Sequence, residues 1–181
     1  MRTFIAIELP DSIRKALAQE QERFRAVAPD ARWTRPEGIH LTLKFLGEIS
    51  SDQEAQVKQA LGRMERFEKF TIRAQDFGFF PNAKRPRVFW AGLDAPPNLA
   101  RLAEQVESAM ASIGFPREDR PFNPHLTLAR FNVPRPQPRL EALLKAQGPP
   151  HFGTFDVSEI FLWESRLLPA GAEYRKIASF P

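Results

Sequence analysis

His40-Leu41-Thr42-Leu43 returns 85 positions later as His125-Leu126-Thr127-Leu128, and what that duplication builds decides the fold. Each copy alternates polar and apolar residues, the pattern of a half-buried strand. Successive side chains of a strand point to opposite faces. His40 and Thr42 therefore share one face against Leu41 and Leu43, and His125 and Thr127 share one against Leu126 and Leu128. The chain holds three histidines, two of them in these tetrads. Two such strands facing one cleft would present two imidazoles and two hydroxyls to a phosphate.

Outward from the tetrads the chain reads as a repeat. Ahead of the first lie a strand at 3–9 and a helix opening at Asp11 or Ser12, with Ile13, Leu17, Phe24 and Val27 at helical spacing up to Pro29. An extended piece at 31–36 and a turn at Glu37-Gly38 lead into the tetrad strand, which runs to about Leu46. A helix from Ser51-Asp52 (Val57, Leu61, Met64), a strand from Phe70 to Phe79, a basic loop from Pro81 and a strand from Val88 to Leu93 follow. The second pass has a helix carrying Leu99, Leu102, Val106, Met110 and Ile113, a loop from Phe115 to Pro124, and a strand from His125 to about Phe131. A short helix around Leu140–Leu144 ends at Gly148. One long strand from Phe152 to Leu167, a turn at Pro169–Gly171 and a strand from Glu173 to Phe180 complete it. On position, Phe77 matches Phe161 and Trp90 matches Tyr174. Helices between hairpins predict an α+β fold: two pseudo-symmetric lobes, antiparallel sheets facing a central groove, helices outside, in one domain over 1–181.

Composition narrows the classes. The 181 residues, 43% hydrophobic and 27% charged, suffice for a core. No cysteine is present, which removes disulfides, thiol nucleophiles and thiolate metal sites. No apolar run approaches the roughly 20 residues of a membrane span, and the first residues lack a signal-peptide pattern, so a cytoplasmic protein and a monomer are expected. The net charge of +4, mostly from arginine, favours an anionic partner and suits bidentate recognition of phosphate; it also serves plain solubility. The 17 prolines cluster at 81–97, 116–138 and 149–150 and mark loops.

One His-x-Thr in a strand means little, because threonine is an ordinary strand residue. Two copies with identical leucines point to chemistry. A histidine pKa near 6.5 lets one imidazole serve as base and another as acid at neutral pH, and threonine hydroxyls can donate to phosphate oxygens without adding charge. Two histidines make a weak metal set, and Glu37 and Glu48 show no helical ligand spacing, so a site without metal or cofactor is expected. Lys44 falls on the face of His40 and Thr42, and Phe45 on the leucine face. Arg130, five positions after His125, falls opposite it unless a bulge or strand end turns it. Lys84, Arg85, Arg87 and Arg120 are loop charges that could steer a nucleic-acid backbone or simply be solvated. Trp33, Phe79, Phe80 and Phe122 are candidate stacking surfaces, or core. His151 is expected at the surface.

The segments His40-Leu-Thr-Leu-Lys-Phe-Leu-Gly47 and Arg120-Pro-Phe-Asn-Pro-His125-Leu-Thr-Leu-Ala-Arg130 resemble the paired signatures of the two-histidine phosphoesterases. The whole chain is similar to the bacterial and archaeal RNA 2′,3′-cyclic phosphodiesterases, also called 2′-5′ RNA ligases; Thr3–Pro10, Arg87–Leu93 and Tyr174–Pro181 share in the likeness. The resemblance implies a bilobal fold with the tetrads lining the groove, and opening of a 2′,3′-cyclic phosphate at an RNA 3′ end to leave a 2′-phosphate. It also favours a substrate-binding role for Arg130, against a salt-bridging one. His40 is assigned as acid, His125 as base, and Thr42 and Thr127 as phosphate holders. The alternatives are 2′-5′ ligation by the reverse reaction, or an RNA- or nucleotide-binding module without turnover.

Overall fold

The structure, a computed structural model, describes residues 1–148 and 151–181; Pro149, Pro150 and the side chain of His151, with the expectations placed on them, lie outside the described residues. The chain runs β1 (Arg2–Ile7), α1 (Asp11–Arg25), β2 (Arg32–Trp33), a 3-10 turn (Pro36–Gly38), β3 (Leu41–Glu48), α2 (Ser51–Gly62), β4 (Phe70–Phe80), β5 (Val88–Asp94), α3 (Pro97–Ala111), β6 (His125–Arg130), α4 (Pro138–Gln147), β7 (His151–Val157), β8 (Ile160–Leu168) and β9 (Gly171–Phe180). The local causes are plain. Pro10 stops β1, and α1 then buries Ile13, Leu17, Gln21 and Phe24 along one stripe. Ser50 caps α2 in a reciprocal box with Gln53. Pro97 fits the first turn of α3, whose buried stripe is Leu99, Leu102, Ala103, Val106 and Met110.

Two antiparallel sheets form, ordered β3-β1-β8-β9 and β2-β6-β5-β4-β7. The fold is α+β and two-lobed, as expected, but its halves are not independent. Helix α1 packs against the second sheet, with Phe24 edge-on to Phe77 at 4.9 Å and to Phe89 at 5.6 Å. Helix α3 lies against the first sheet, where its Glu107 pairs with Lys44 of β3. The helices thus cover one face of each sheet, where the tetrad leucines Leu41, Leu43, Leu126 and Leu128 are buried, and the tetrad histidines and threonines belong to the other face.

Two expectations are corrected here. The long strand from Phe152 to Leu167 is two strands in different sheets, β7 beside β4 and β8 beside β1. The chain crosses between lobes at Ser158-Glu159, both exposed, and the buried positions slip there by one residue, from Val157 to Ile160. The match of Trp90 with Tyr174 also fails topologically. Strand β5 sits beside its tetrad strand β6 as β1 sits beside β3, so β5 corresponds to β1 and not to β9.

The same irregularity occurs in both tetrad strands. Ala6 pairs with Thr42 and Ile5 with Lys44, which leaves Leu43 unpaired. Trp90 pairs with Thr127 and Phe89 with Ala129, which leaves Leu128 unpaired. A bulge adds one residue and reverses the alternation beyond it. The carbonyl of Leu128, which takes the Thr34 N–H at 2.9 Å, also accepts from the buried Gln21 Nε2 at 3.1 Å, and that amide donates to Thr34 O at 2.8 Å. A helix side chain from the first half therefore holds the bulge of the second.

Candidate active site

In the second lobe, His125 opposes Gly92, Thr127 opposes Trp90, and Arg130, past the bulge, opposes Val88. Val88, Trp90 and Gly92 alternate along β5 on a single face, so His125, Thr127 and Arg130 share that face too. The bulge is the turn that Arg130 required. The Trp90 ring lies flat over Gly78, where a Cβ would sit 2.1 Å from it; only glycine admits the indole there. Phe80 stands edge-on to His125 at 4.9 Å.

His125 Nδ1 lies 2.8 Å from Asn123 O. A carbonyl only accepts, so Nδ1 carries the hydrogen of the neutral ring and Nε2 keeps its lone pair. Burial lowers the pKa of His125, and the charge of Arg130 lowers it further against the opposing pull of the Asn123 carbonyl. The ring is held as a neutral acceptor.

His40 sits in an aromatic enclosure on the first sheet: Trp163 at 4.4 Å, Tyr174 at 5.3 Å and Phe4 at 5.5 Å between ring centroids. It is only 6% exposed. Burial, then the charges of Arg14 and Lys176, lower its pKa to about 4, with the Gly38 backbone and Glu8 pulling the other way. Its Nε2 has no hydrogen-bond partner among the described residues. An imidazolium so destabilised gives up its proton readily, which makes it a strong acid once charged.

The bulge at Leu43 overturns two parity expectations. Lys44 turns away from the groove and is 3% exposed, with its ammonium on Glu107 and 2.9 Å from Pro116 O. Phe45 turns into the open, 61% exposed, beside Phe4 at 6.1 Å. Phe45 and Arg130 hold the same place, five residues after their histidines. Of the stacking candidates, Trp33 packs edge-on to Phe89 with Nε1 on Ala28 O, and Phe79 packs on Phe89 and Phe131; both are core. Phe80 and the partly exposed Phe122 are not. Arg87 Nη1 donates to Asn132 O at 2.8 Å, while Lys84, Arg85 and Arg120 are exposed.

Four residues beside His40 lie outside the tetrads and are not among the expected site residues: Glu8, Arg14, Tyr174 and Lys176. Lys176 pairs with Glu8 and stands 4.6 Å above the Phe161 ring, and Arg14 reaches Glu8 at 3.9 Å. Only the pairing of β8 with β1 brings the last strands here. A cavity of about 520 Å³ between α2 and α3 contains none of these residues. Among the described residues no group of three or more His, Cys, Asp or Glu could hold a metal, and no helix is long and apolar enough to cross a membrane.

The model of the LigT-like phosphoesterases matches residues 7–90 and again 93–174, two successive stretches that follow the internal repeat. The RNA 2′,3′-cyclic phosphodiesterase of Archaeoglobus fulgidus is 33% identical over 180 residues, covering 99% of both chains. That of Thermus thermophilus is 36% identical, covering 99% of this chain and 89% of its own. Among solved structures, a Thermus thermophilus protein superposes with a TM-score of 0.82 at 33% identity, covering 99% of this chain and 97% of its own. E. coli LigT complexed with 3′-AMP superposes with a TM-score of 0.80 at 30% identity, covering 99% and 96%.

Proposed function

The chain belongs to the LigT-like phosphoesterase family, and from that membership we propose that it opens 2′,3′-cyclic phosphate ends of RNA to 2′-phosphates without a metal. The relatives' shared name supports the substrate. The observation that carries the mechanism is the register of the second tetrad strand, in which His125 and Thr127 share a face and the bulge at Leu128 turns Arg130 onto it.

His125 Nε2 takes a proton from water as the water oxygen bonds to phosphorus. The P–O3′ bond breaks on the far side, and His40 in its charged form gives a proton to O3′. The product holds a 2′-phosphate and a free 3′-hydroxyl. Thr42 and Thr127 donate to the non-bridging oxygens, and Arg130 offsets the charge that develops there. Phe45 offers a base a stacking surface. One chain carries the whole constellation, which supports action as a monomer, and RNA as substrate supports the cytoplasm as its place.

An RNA oligonucleotide with a 2′,3′-cyclic phosphate end, incubated with the protein in EDTA, tests this. A 2′-phosphate end is expected. Product that disappears in EDTA overturns the metal-independent mechanism, and tight binding without product overturns the hydrolase. A longer, 2′-5′-linked product indicates ligation, in which an RNA 5′-hydroxyl replaces water in the same groove.

The pH profile has a definite sign. Both rings have pKa values below the ordinary 6.5 in the free protein, and kcat/KM reports the free protein. As pH rises the acid loses its proton, so kcat/KM turns down below pH 6.5. A bound phosphodiester puts negative charge beside the rings and raises their pKa values, so kcat turns down at higher pH than kcat/KM. Coincident alkaline limbs overturn this.

A further inference from the structure

Strand β2 contributes two residues to the edge of the second sheet, and their register places Arg32 directly opposite Arg130. Because Arg130 shares the face of Thr127 and His125, Arg32 does as well. Like charges facing each other across a ladder are destabilising. Among the described residues neither Arg32 nor Arg130 has a carboxylate partner of the kind that Arg14, Arg117 and Arg175, like some but not most of the arginines, possess. Asp30, the nearest acid in sequence, engages Gln137 at 3.1 Å instead. Just past Arg32 the register is continued by the Thr34 N–H on Leu128 O at 2.9 Å, and Trp33 Nε1 ties the strand to Ala28 O at 3.2 Å. Arg87, anchored to Asn132 O, adds a third cation at this end of β6.

Two exposed arginines on strands about 4.8 Å apart, without a counter-anion, offer forks that suit the oxygens of a phosphodiester. Arg130 lies nearer the tetrad and Arg32 one strand further out, so an anion held between them is a neighbour of the cyclic end. We propose that Arg32, with Arg130, forms a second phosphate subsite for the phosphodiester on the 5′ side of the terminal nucleotide, so that the enzyme prefers oligonucleotide ends to cyclic mononucleotides. This rests on the hydrolase reading above.

The test compares kcat/KM for a 2′,3′-cyclic mononucleotide and for a tetranucleotide with the same end, across a salt series. The wild type favours the tetranucleotide, and in Arg32→Gln that preference falls about tenfold at low salt. The salt slope for the tetranucleotide falls by about 0.7, one phosphate contact on a single strand. Arg101→Gln, which removes an exposed charge from α3, serves as the control. An unchanged preference and slope in Arg32→Gln overturn the proposal, as does an equal loss in Arg101→Gln. A wild type that opens the mononucleotide without preferring the longer chain overturns the subsite and leaves the hydrolase reading intact. One that opens neither substrate overturns the reading, and the subsite with it.

Discussion

His125→Ala loses about 10²–10⁴-fold in kcat while keeping the thermal transition of the wild type within a few degrees. The ring is partly exposed and its one hydrogen bond goes to the nearby Asn123 carbonyl, so the fold has little invested in it. The chemistry depends on it, because Nε2 is the acceptor aimed at the open face and Thr127 carries no group basic enough to replace it. His40→Asn is expected to lose a similar factor. It is preferable to alanine, which would leave a void among Phe4, Trp163 and Tyr174. The double variant should be little worse than either single one, since an acid and a base that act in one step fail together. Steady-state rates on a cyclic-phosphate RNA decide it. A His125→Ala protein keeping more than about a tenth of wild-type kcat falls outside this range for general base catalysis and removes His125 from the mechanism.

Lys44→Ala is the change expected to cost most stability, about 3 kcal/mol, which in a protein of this size lowers Tm by roughly 6–12 °C. The Lys44 ammonium sits between the Glu107 carboxylate and Pro116 O, deep under β3. Removing it leaves the partly buried Glu107 without its cation, held only by the Glu118 N–H at 2.8 Å and the field of Arg117. Burial opposes the Glu107 carboxylate, but Lys44, the Glu118 N–H and Arg117 outweigh that and hold its pKa below the usual value. The pair's contribution is therefore complete above the ordinary glutamate pKa of 4.5 and fades as pH falls below it. Lys44→Met with Glu107→Leu should recover most of the loss, because two apolar side chains replace the pair without a stranded charge. Thermal melts of the single and double variants measure this. A Lys44→Ala protein that melts with the wild type shows that the pair is idle.

The repeat, the α+β class and all four tetrad positions were legible, because a two-residue period and a duplicated motif are local patterns. What lay beyond a bulge was not. Parity counts an uninterrupted ladder, and the extra residue at Leu43 or Leu128 reverses it, so Lys44, Phe45 and Arg130 read on the wrong faces. The repeat held a clue: Lys44 stands where the second half has Ala129, a buried residue. The split of the long strand was hidden because Phe155 and Val157 on one side of the crossing and Ile160 and Leu162 on the other are all buried in the same core, with apolar spacing that slips by a single residue. Trp33 and Phe79 looked like stacking platforms, and only their registers against β6 and β5 turn them inward. The tautomer of His125 and the charges around His40 depend on contacts no spacing encodes.

The crossing at Ser158-Glu159 bears on how the protein is made. His40 and Trp163 are 123 positions apart, and the strands that enclose the imidazole leave the ribosome long after the tetrad itself. Until they arrive, β1 has an open edge where β8 will pair, a surface prone to wrong partners. Such long-range pairing is slow. The first histidine therefore acquires its unusual acidity only in the closing stage of folding, when the C-terminal hairpin shuts over it, and a nascent chain carries both tetrads before it has a working pair.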